Sequence, residues 1–181
     1  MRCPWPQQDE LMIHYHDHEW GKPVHDDTKL FEMLLLESFQ AGLTWKTILH
    51  RREGFRKAFS DFDVQKVALY TEKEITELMQ DVGIIRHQLK IKAAINNANL
   101  FISIQKEQGS FDCFIWSFTN GKTITNNYKN HQEIPANSLE SDLMSKALKK
   151  KGFKFMGSTI CYAFMQAAGM VNDHLSSCNF K

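Results

Sequence analysis

Apolar side chains first settle into a helical rhythm at Leu30, Phe31, Leu34, Leu35 and Phe39. That spacing predicts a helix opening at Asp27, with Asp27 or Thr28 as its cap, and broken at Gln40-Ala41-Gly42-Leu43 with Gly42 as its stop. Thr44 then caps a short amphipathic stretch, WKTILHRR. Asp63 opens one or two further turns, and Thr71 and Glu74 have capping-box spacing ahead of Ile75, Leu78 and Met79. Gly83 interrupts. Helical spacing resumes through Ile91, Ala94, Ile95, Ala98 and Phe101. Ser110 precedes the aromatic run FDCFIWSF, and the polar stretch from Asn120 to Ala136 reads as a long loop. A helix is expected over Leu139–Lys151, stopped by Gly152. A last apolar helix, over Ser158–Met170, has the small residues of a central buried element.

No strand-like alternation persists anywhere, and no repeat or linker marks a second unit. The pattern predicts an all-α fold in a single domain spanning residues 1–181, with irregular ends at 1–27 and 171–181. The first segment has room for one short helix. A hydrophobic fraction of 43% and an aromatic fraction of 12% supply a core. The net charge of +1 argues against a surface coated in nucleic acid, though not against a local basic patch. There is no apolar leader, no stretch near ~20 apolar residues and no prenylation box. The expectation is a soluble, cytoplasmic monomer with no membrane partner.

Cys3, Cys113, Cys161 and Cys178, without an export signal, suggest thiols or metal ligands rather than a disulfide framework. His174 and Cys178 lie four residues apart, on one side of a helical turn, which is a usable zinc half-site. Cys3 and His16 could supply the other half from the opposite chain end, but His14 and His18 compete with His16, and spacing does not choose among them. A surface histidine and cysteine near a chain end would look the same.

Glu37 follows Leu34-Leu35-Leu36, either as the solvated edge of a helix or as a buried acid. Trp5, Tyr15, Trp20 and Trp45 are unusual companions, since most lie in polar segments. Aromatic faces beside a carboxylate are what a flat cationic base needs. Between Leu78 and Lys92, a glycine turn at Gly83 leads into Arg86, His87, Lys90 and Lys92. Such a turn into a helix N-terminus resembles a helix–hairpin–helix DNA-binding element, with the glycine allowing close approach of a phosphate backbone.

The blocks YHDHEWG at 15–21, LFEMLLLESFQAGLTW at 30–45, VGIIRHQLKI at 82–91, FIWSF at 114–118 and SKALKKKGFKFMGSTICYAFMQAAGMVNDH at 145–174 resemble the DNA-3-methyladenine glycosylase I family, the constitutive bacterial type. The likeness runs from Cys3 to Cys178. It implies the helix–hairpin–helix glycosylase fold and one structural zinc ion held by Cys3, His16, His174 and Cys178. It implies a base pocket of Glu37, Tyr15 and Trp45, with Trp5 and Trp20 nearby. The chain departs from the family at Met12, where a pocket-walling tyrosine is expected.

The implied substrate is double-stranded DNA containing 3-methyladenine. The implied reaction is hydrolysis of its N-glycosidic bond, giving free 3-methyladenine and an abasic site. Glu37 would orient and select the base, Gly83, Arg86 and Lys90 would meet the DNA backbone, and Leu43 would wedge into the vacated stack. There is no aspartate between Gly83 and Gln108, and no lysine evidently placed as a Schiff-base nucleophile. A monofunctional enzyme is therefore expected.

Overall fold

The computed structural model describes residues 1–181. Its ten α-helices are α1 (Glu10–His18), α2 (Asp27–Gln40), α3 (Trp45–Leu49), α4 (Arg52–Ala58), α5 (Val64–Val67), α6 (Glu72–Leu78), α7 (Gln88–Gln108), α8 (Phe111–Trp116), α9 (Leu139–Lys151) and α10 (Ser158–Ala167). No helix is long and apolar enough to cross a membrane.

The most enclosed element is α2, where every residue from Leu30 to Phe39 is buried. Its seven apolar members, Leu30, Phe31, Met33, Leu34, Leu35, Leu36 and Phe39, face α7, α8 and α10 on different sides. Each such side chain adds roughly 1.5–3 kcal/mol. That margin lets the same helix carry Glu32 and Glu37 inside the protein. The core continues through Phe101, stacked on Phe111 at 3.9 Å, to Phe164 and Met165 of α10.

The local signals were partly displaced. Asp26, not Asp27 or Thr28, caps α2, accepting from the Lys29 amide at 2.9 Å. Asp27 serves elsewhere: its carboxylate accepts from the Phe111 and Asp112 amides and from the Gln105 side chain, fixing the start of α8 to α2 and α7. The Thr71–Glu74 capping box forms as expected. Gly152, at φ +101°, ends α9 as expected. Helix α10 stops at Ala167, three residues before the expected Met170, because Gly169 turns left-handed at φ +68°. Its bare Cα lies against the Lys22–Pro23 backbone, where a Cβ would fall 2.1 Å from the Lys22 carbonyl carbon.

One feature has no counterpart in the pattern. Two short parallel strands, β1 (Ile124–Thr125) and β2 (Val171–Asn172), pair Ile124 with Val171 and Thr125 with Asn172. They pin the 120–136 loop to the C-terminal segment. Two residues per strand are too few for an alternation to register.

Candidate active site and metal clasp

A cavity of about 470 Å³ opens between α1, the α2–α3 corner, α10 and the loop around His131. Trp5, Tyr15, Trp20, Glu37 and Trp45, the residues singled out by the sequence, all line it. Tyr15 and Trp45 lie with ring centroids 5.0 Å apart, and Trp5 sits edge-on to Trp20 at 5.2 Å. Met12 fills its expected place in the wall, packed with Tyr15, Trp20 and Leu49.

Glu37 is buried, and its Oε2 has no hydrogen-bond partner. Burial alone pushes its carboxyl up to about 8. The same burial, reinforced by the nearby Glu37 charge, pushes the Tyr15 phenol well up. The buried side-chain polar atoms left without partners are Trp5 Nε1, Glu37 Oε2, Gln40 Oε1 and Trp45 Nε1, and all four residues line this cavity. Buried polar groups are normally paired. Two N–H donors and two acceptor oxygens in one aromatic chamber are suited to a flat ligand carrying both kinds of group.

The sequence reading missed Gln40, Thr159, Tyr162 and Gln166. A signal existed for each. Gln40 follows Glu37 by one helical turn, and Thr159, Tyr162 and Gln166 form a polar stripe at helical spacing along an otherwise apolar α10. The buried Asp173 carboxylate accepts from the Tyr162 hydroxyl at 2.7 Å, the Gln166 amide at 2.8 Å and the Asn126 amide at 2.8 Å. It therefore joins the α10 wall to the strand-pinned loop.

Next to this wall the two chain ends meet. One donor atom from each of Cys3, His16 and Cys178 lies within 4.8 Å of the others, and all three residues are buried. His16 places Nδ1 2.7 Å from Asp17 Oδ1, and Arg2 holds that same carboxylate. His174 is also buried and stands edge-on to His16 at 4.7 Å, with Nδ1 2.9 Å from Asn172 Oδ1 and Nε2 toward the His16 carbonyl at 3.2 Å. Burial lowers the His174 imidazole to about 4 and raises the Cys3 thiol to about 11. His14 and His18 pair with each other, with ring centroids 4.7 Å apart, away from this cluster.

Between α6 and α7 the chain makes a tight turn. The Asp81 side chain accepts from the Gly83 amide at 2.7 Å, and Gly83 packs against Gly54 of α4. Arg86 and His87 are exposed, and the His87 ring caps α7 at the Lys90 amide. Leu43 is 40% exposed on the turn after α2. Lys90 corrects the sequence reading. It was expected at a DNA face but is buried, its ammonium donating to the Phe39 and Ala41 carbonyls at 2.8 and 2.6 Å. Those carbonyls end α2 without local partners, and they capture a cation that a phosphate would otherwise meet.

Fold and site together define a predominantly helical protein with an aromatic, ring-sized chamber built on a buried acid. A model of the methyladenine glycosylase family matches residues 5–181, and the chain belongs to that family. It is 50% identical over 177 residues to the DNA-3-methyladenine glycosylase 1 of Escherichia coli (strain K12), covering 98% of this chain and 95% of that one. It is 47% identical to the DNA-3-methyladenine glycosylase of Haemophilus influenzae, covering 99% and 97%. A solved 3-methyladenine DNA glycosylase I variant in complex with 3-methyladenine superposes with a TM-score of 0.96 at 38% identity, covering 99% of this chain and 97% of that one.

Proposed function

We infer that this chain is a DNA-3-methyladenine glycosylase of base-excision repair. The observation that carries the reading is the buried Glu37 carboxylate, unpartnered inside an aromatic chamber, in a member of the methyladenine glycosylase family. Methylation at N3 makes the base a planar cation. Tyr15, Trp45, Trp5 and Trp20 offer π faces to it, and ionised Glu37 offers an acceptor for its exocyclic amine and a counter-charge. Ordinary adenine brings no charge to offset the burial of that carboxylate.

The cationic base is already a good leaving group. Water adds to the sugar C1′, the C1′–N9 bond breaks, and its electron pair leaves on the base as neutral 3-methyladenine. The proton lost by water goes to solvent, and an abasic site remains. No lysine amine lines the pocket except Lys46 at its rim, where the ammonium pairs with Asp9 at 2.9 Å. A monofunctional enzyme without strand cleavage fits that arrangement.

The target nucleotide must leave the duplex to reach the chamber. The turn from Asp81 to His87 suits a helix–hairpin–helix grip on the DNA backbone, through exposed Arg86 and the main chain around Gly83. Leu43, exposed beside the pocket corner, suits a wedge that fills the vacated stack. The whole chain would act as one domain, and a cytoplasmic monomer suits work on chromosomal DNA.

The buried sulfur and imidazole donors fit a single structural zinc ion. Cys3, His16 and Cys178 would hold it, with His174 as the fourth ligand. Asp17 takes the Nδ1 side of His16, which leaves Nε2 as its lone-pair nitrogen for a metal, while His174 would turn its Nε2 away from the His16 carbonyl to join. Such an ion would tie the Tyr15 segment to the C-terminus. Its burial suits a closed structural site rather than a zinc hydrolase centre.

The test is direct. Methylated duplex DNA is incubated with the protein and free 3-methyladenine is assayed. Release by the wild type and its loss in Glu37→Gln are expected. No release at stoichiometric enzyme would overturn the reading.

A further inference from the structure

Lys90 is the single buried lysine, and the chemistry above does not use it. Its ammonium meets two carbonyls and no carboxylate, and burial lowers its pKa. A buried cation without an anion is a poor device for stability alone, since an apolar residue of similar volume would avoid its desolvation. Its position gives it another use. Helix α2 has no basic residue in its last turn. Lys90 closes that end from α7, 51 residues away from Phe39.

Everything on the far side of this contact belongs to the pocket corner. Glu37 and Gln40 lie in the capped turn, Gly42 and Leu43 follow it, and Trp45 opens α3 immediately after. Everything on the near side belongs to the hairpin. Lys90 is in the first turn of α7, directly after the exposed Arg86 and the capping His87.

We propose that Lys90 is a positioning residue that locks the Gln40–Leu43 corner to the α6–α7 hairpin, so that gripping the DNA backbone sets where Leu43 and the pocket mouth meet the extruded base. This rests on the reading of the hairpin and Leu43 given under the proposed function. Lys90 touches neither base nor sugar. Its loss would leave the chamber able to bind a free base but misplaced relative to the duplex. A misplacement of about 1 Å can cost on the order of 100-fold in rate.

The experiment compares wild type, Lys90→Met and Lys90→Arg. Binding of free 3-methyladenine is followed by tryptophan fluorescence. Release from methylated duplex is followed in single turnover at saturating enzyme, and extrusion by a 2-aminopurine placed beside the lesion. Lys90→Met is expected to bind free base within about twofold of wild type, but to lose roughly 100-fold in single-turnover release together with the extrusion signal. Lys90→Arg should recover part of both.

Wild-type release and extrusion in Lys90→Met would overturn the proposal. So would a parallel loss of free-base binding, which would mark Lys90 as a support of the chamber itself. If Lys90→Met melts below the assay temperature, Lys90→Gln and Lys90→Arg carry the same comparison. A wild type that releases no base would instead strike the glycosylase reading.

Discussion

His16 places Nδ1 2.7 Å from Asp17 Oδ1, and this leaves its Nε2 facing the Cys178 sulfur at 3.7 Å. The carboxylate thus selects the tautomer and aims the ring at the cluster. Asn172 holds the His174 ring through Nδ1 at 2.9 Å, with Nε2 turned to the His16 carbonyl at 3.2 Å. Second partners of this kind are worth 10–100-fold, as an order of magnitude, in metal affinity. Purified protein is expected to carry one zinc per chain by elemental analysis. Asp17→Asn should retain the fold and bind zinc roughly 10–100-fold more weakly. Cys178→Ala should lose the ion and melt at a lower temperature. A wild type free of metal, whose melting is indifferent to added zinc and to chelators, would end the idea.

Glu37 supports a prediction with a definite sign. Its carboxyl is raised to about 8 by burial, against about 4.3 for an ordinary glutamate. Between those values the folded state keeps a proton that the unfolded chain has released. Stability is therefore highest below the lower value and falls as pH rises through the upper one. Glu37→Gln removes that slope. The variant should gain stability over wild type as pH goes from 5 to 8, by roughly 2–5 kcal/mol. Its activity should move the other way. Wild-type kcat/KM should climb with pH toward a plateau above about 8, as the anion forms in the free enzyme, while the variant stays low and flat. Parallel stability curves for the two proteins, measured by denaturant titration at several pH values, would contradict this.

The parts legible in the sequence are those where local pattern and tertiary use agree. Helix α2 announces itself because Leu30, Phe31, Leu34, Leu35 and Phe39 mark its face and all are buried. Glu37 was ambiguous because the same pattern permits a solvated edge. Only the packing of α10 and α1 around it decides. Asp27 has the chemistry of a cap but gives it to the first two amides of α8, 84 residues away from Phe111 in the chain, while Ser110 caps that helix. Lys90 was misread for the same reason: a lysine after a glycine turn looks solvated until the end of α2 is brought to it. His131 and Pro135 reach the pocket on a loop with no periodicity, so no local rule could have nominated them.

Gly54 and Gly83 allow a test of the hairpin's seat. A Cβ on Gly54 would lie 2.2 Å from the Gly83 carbonyl oxygen. In a free helix, glycine to alanine stabilises by up to about 1 kcal/mol. Here the sign should reverse, because two backbones must separate, and overpacking typically costs about 1–3 kcal/mol. Gly54→Ala is expected to lower stability in denaturant titration and to weaken binding to undamaged duplex, while leaving free 3-methyladenine binding intact. An alanine variant with wild-type stability and duplex affinity would show that the close packing does not set the hairpin.

The walls of the pocket are held in register by a buried charge network, and this can be separated from the chemistry. Glu32 on α2 is buried and accepts from Arg52 at 2.8 Å, Arg56 at 3.0 Å and Lys29 at 3.1 Å. Arg52 also donates to Glu19, just past the end of α1, at 2.8 Å. One guanidinium thus joins the helix of Tyr15 to the helix of Glu37. Burial opposes ionisation of Glu32, but the hydrogen bonds and charges of Arg52 and Lys29 together outweigh it and hold the carboxyl below its ordinary range. Its stabilisation is therefore present above the unfolded glutamate value and is lost as pH falls through the lowered one. Glu32→Ala would leave Arg52 with Glu19 as its one remaining carboxylate and should cost about 1.5–3 kcal/mol. The double variant Glu32→Met, Arg52→Met removes both charges and should lie closer to wild type in stability. If the network only stabilises, the double variant recovers free-base affinity along with its melting temperature. If it also sets register, affinity stays low in a well-folded protein. Stability within 1 kcal/mol of wild type for Glu32→Ala would show that the network carries neither role.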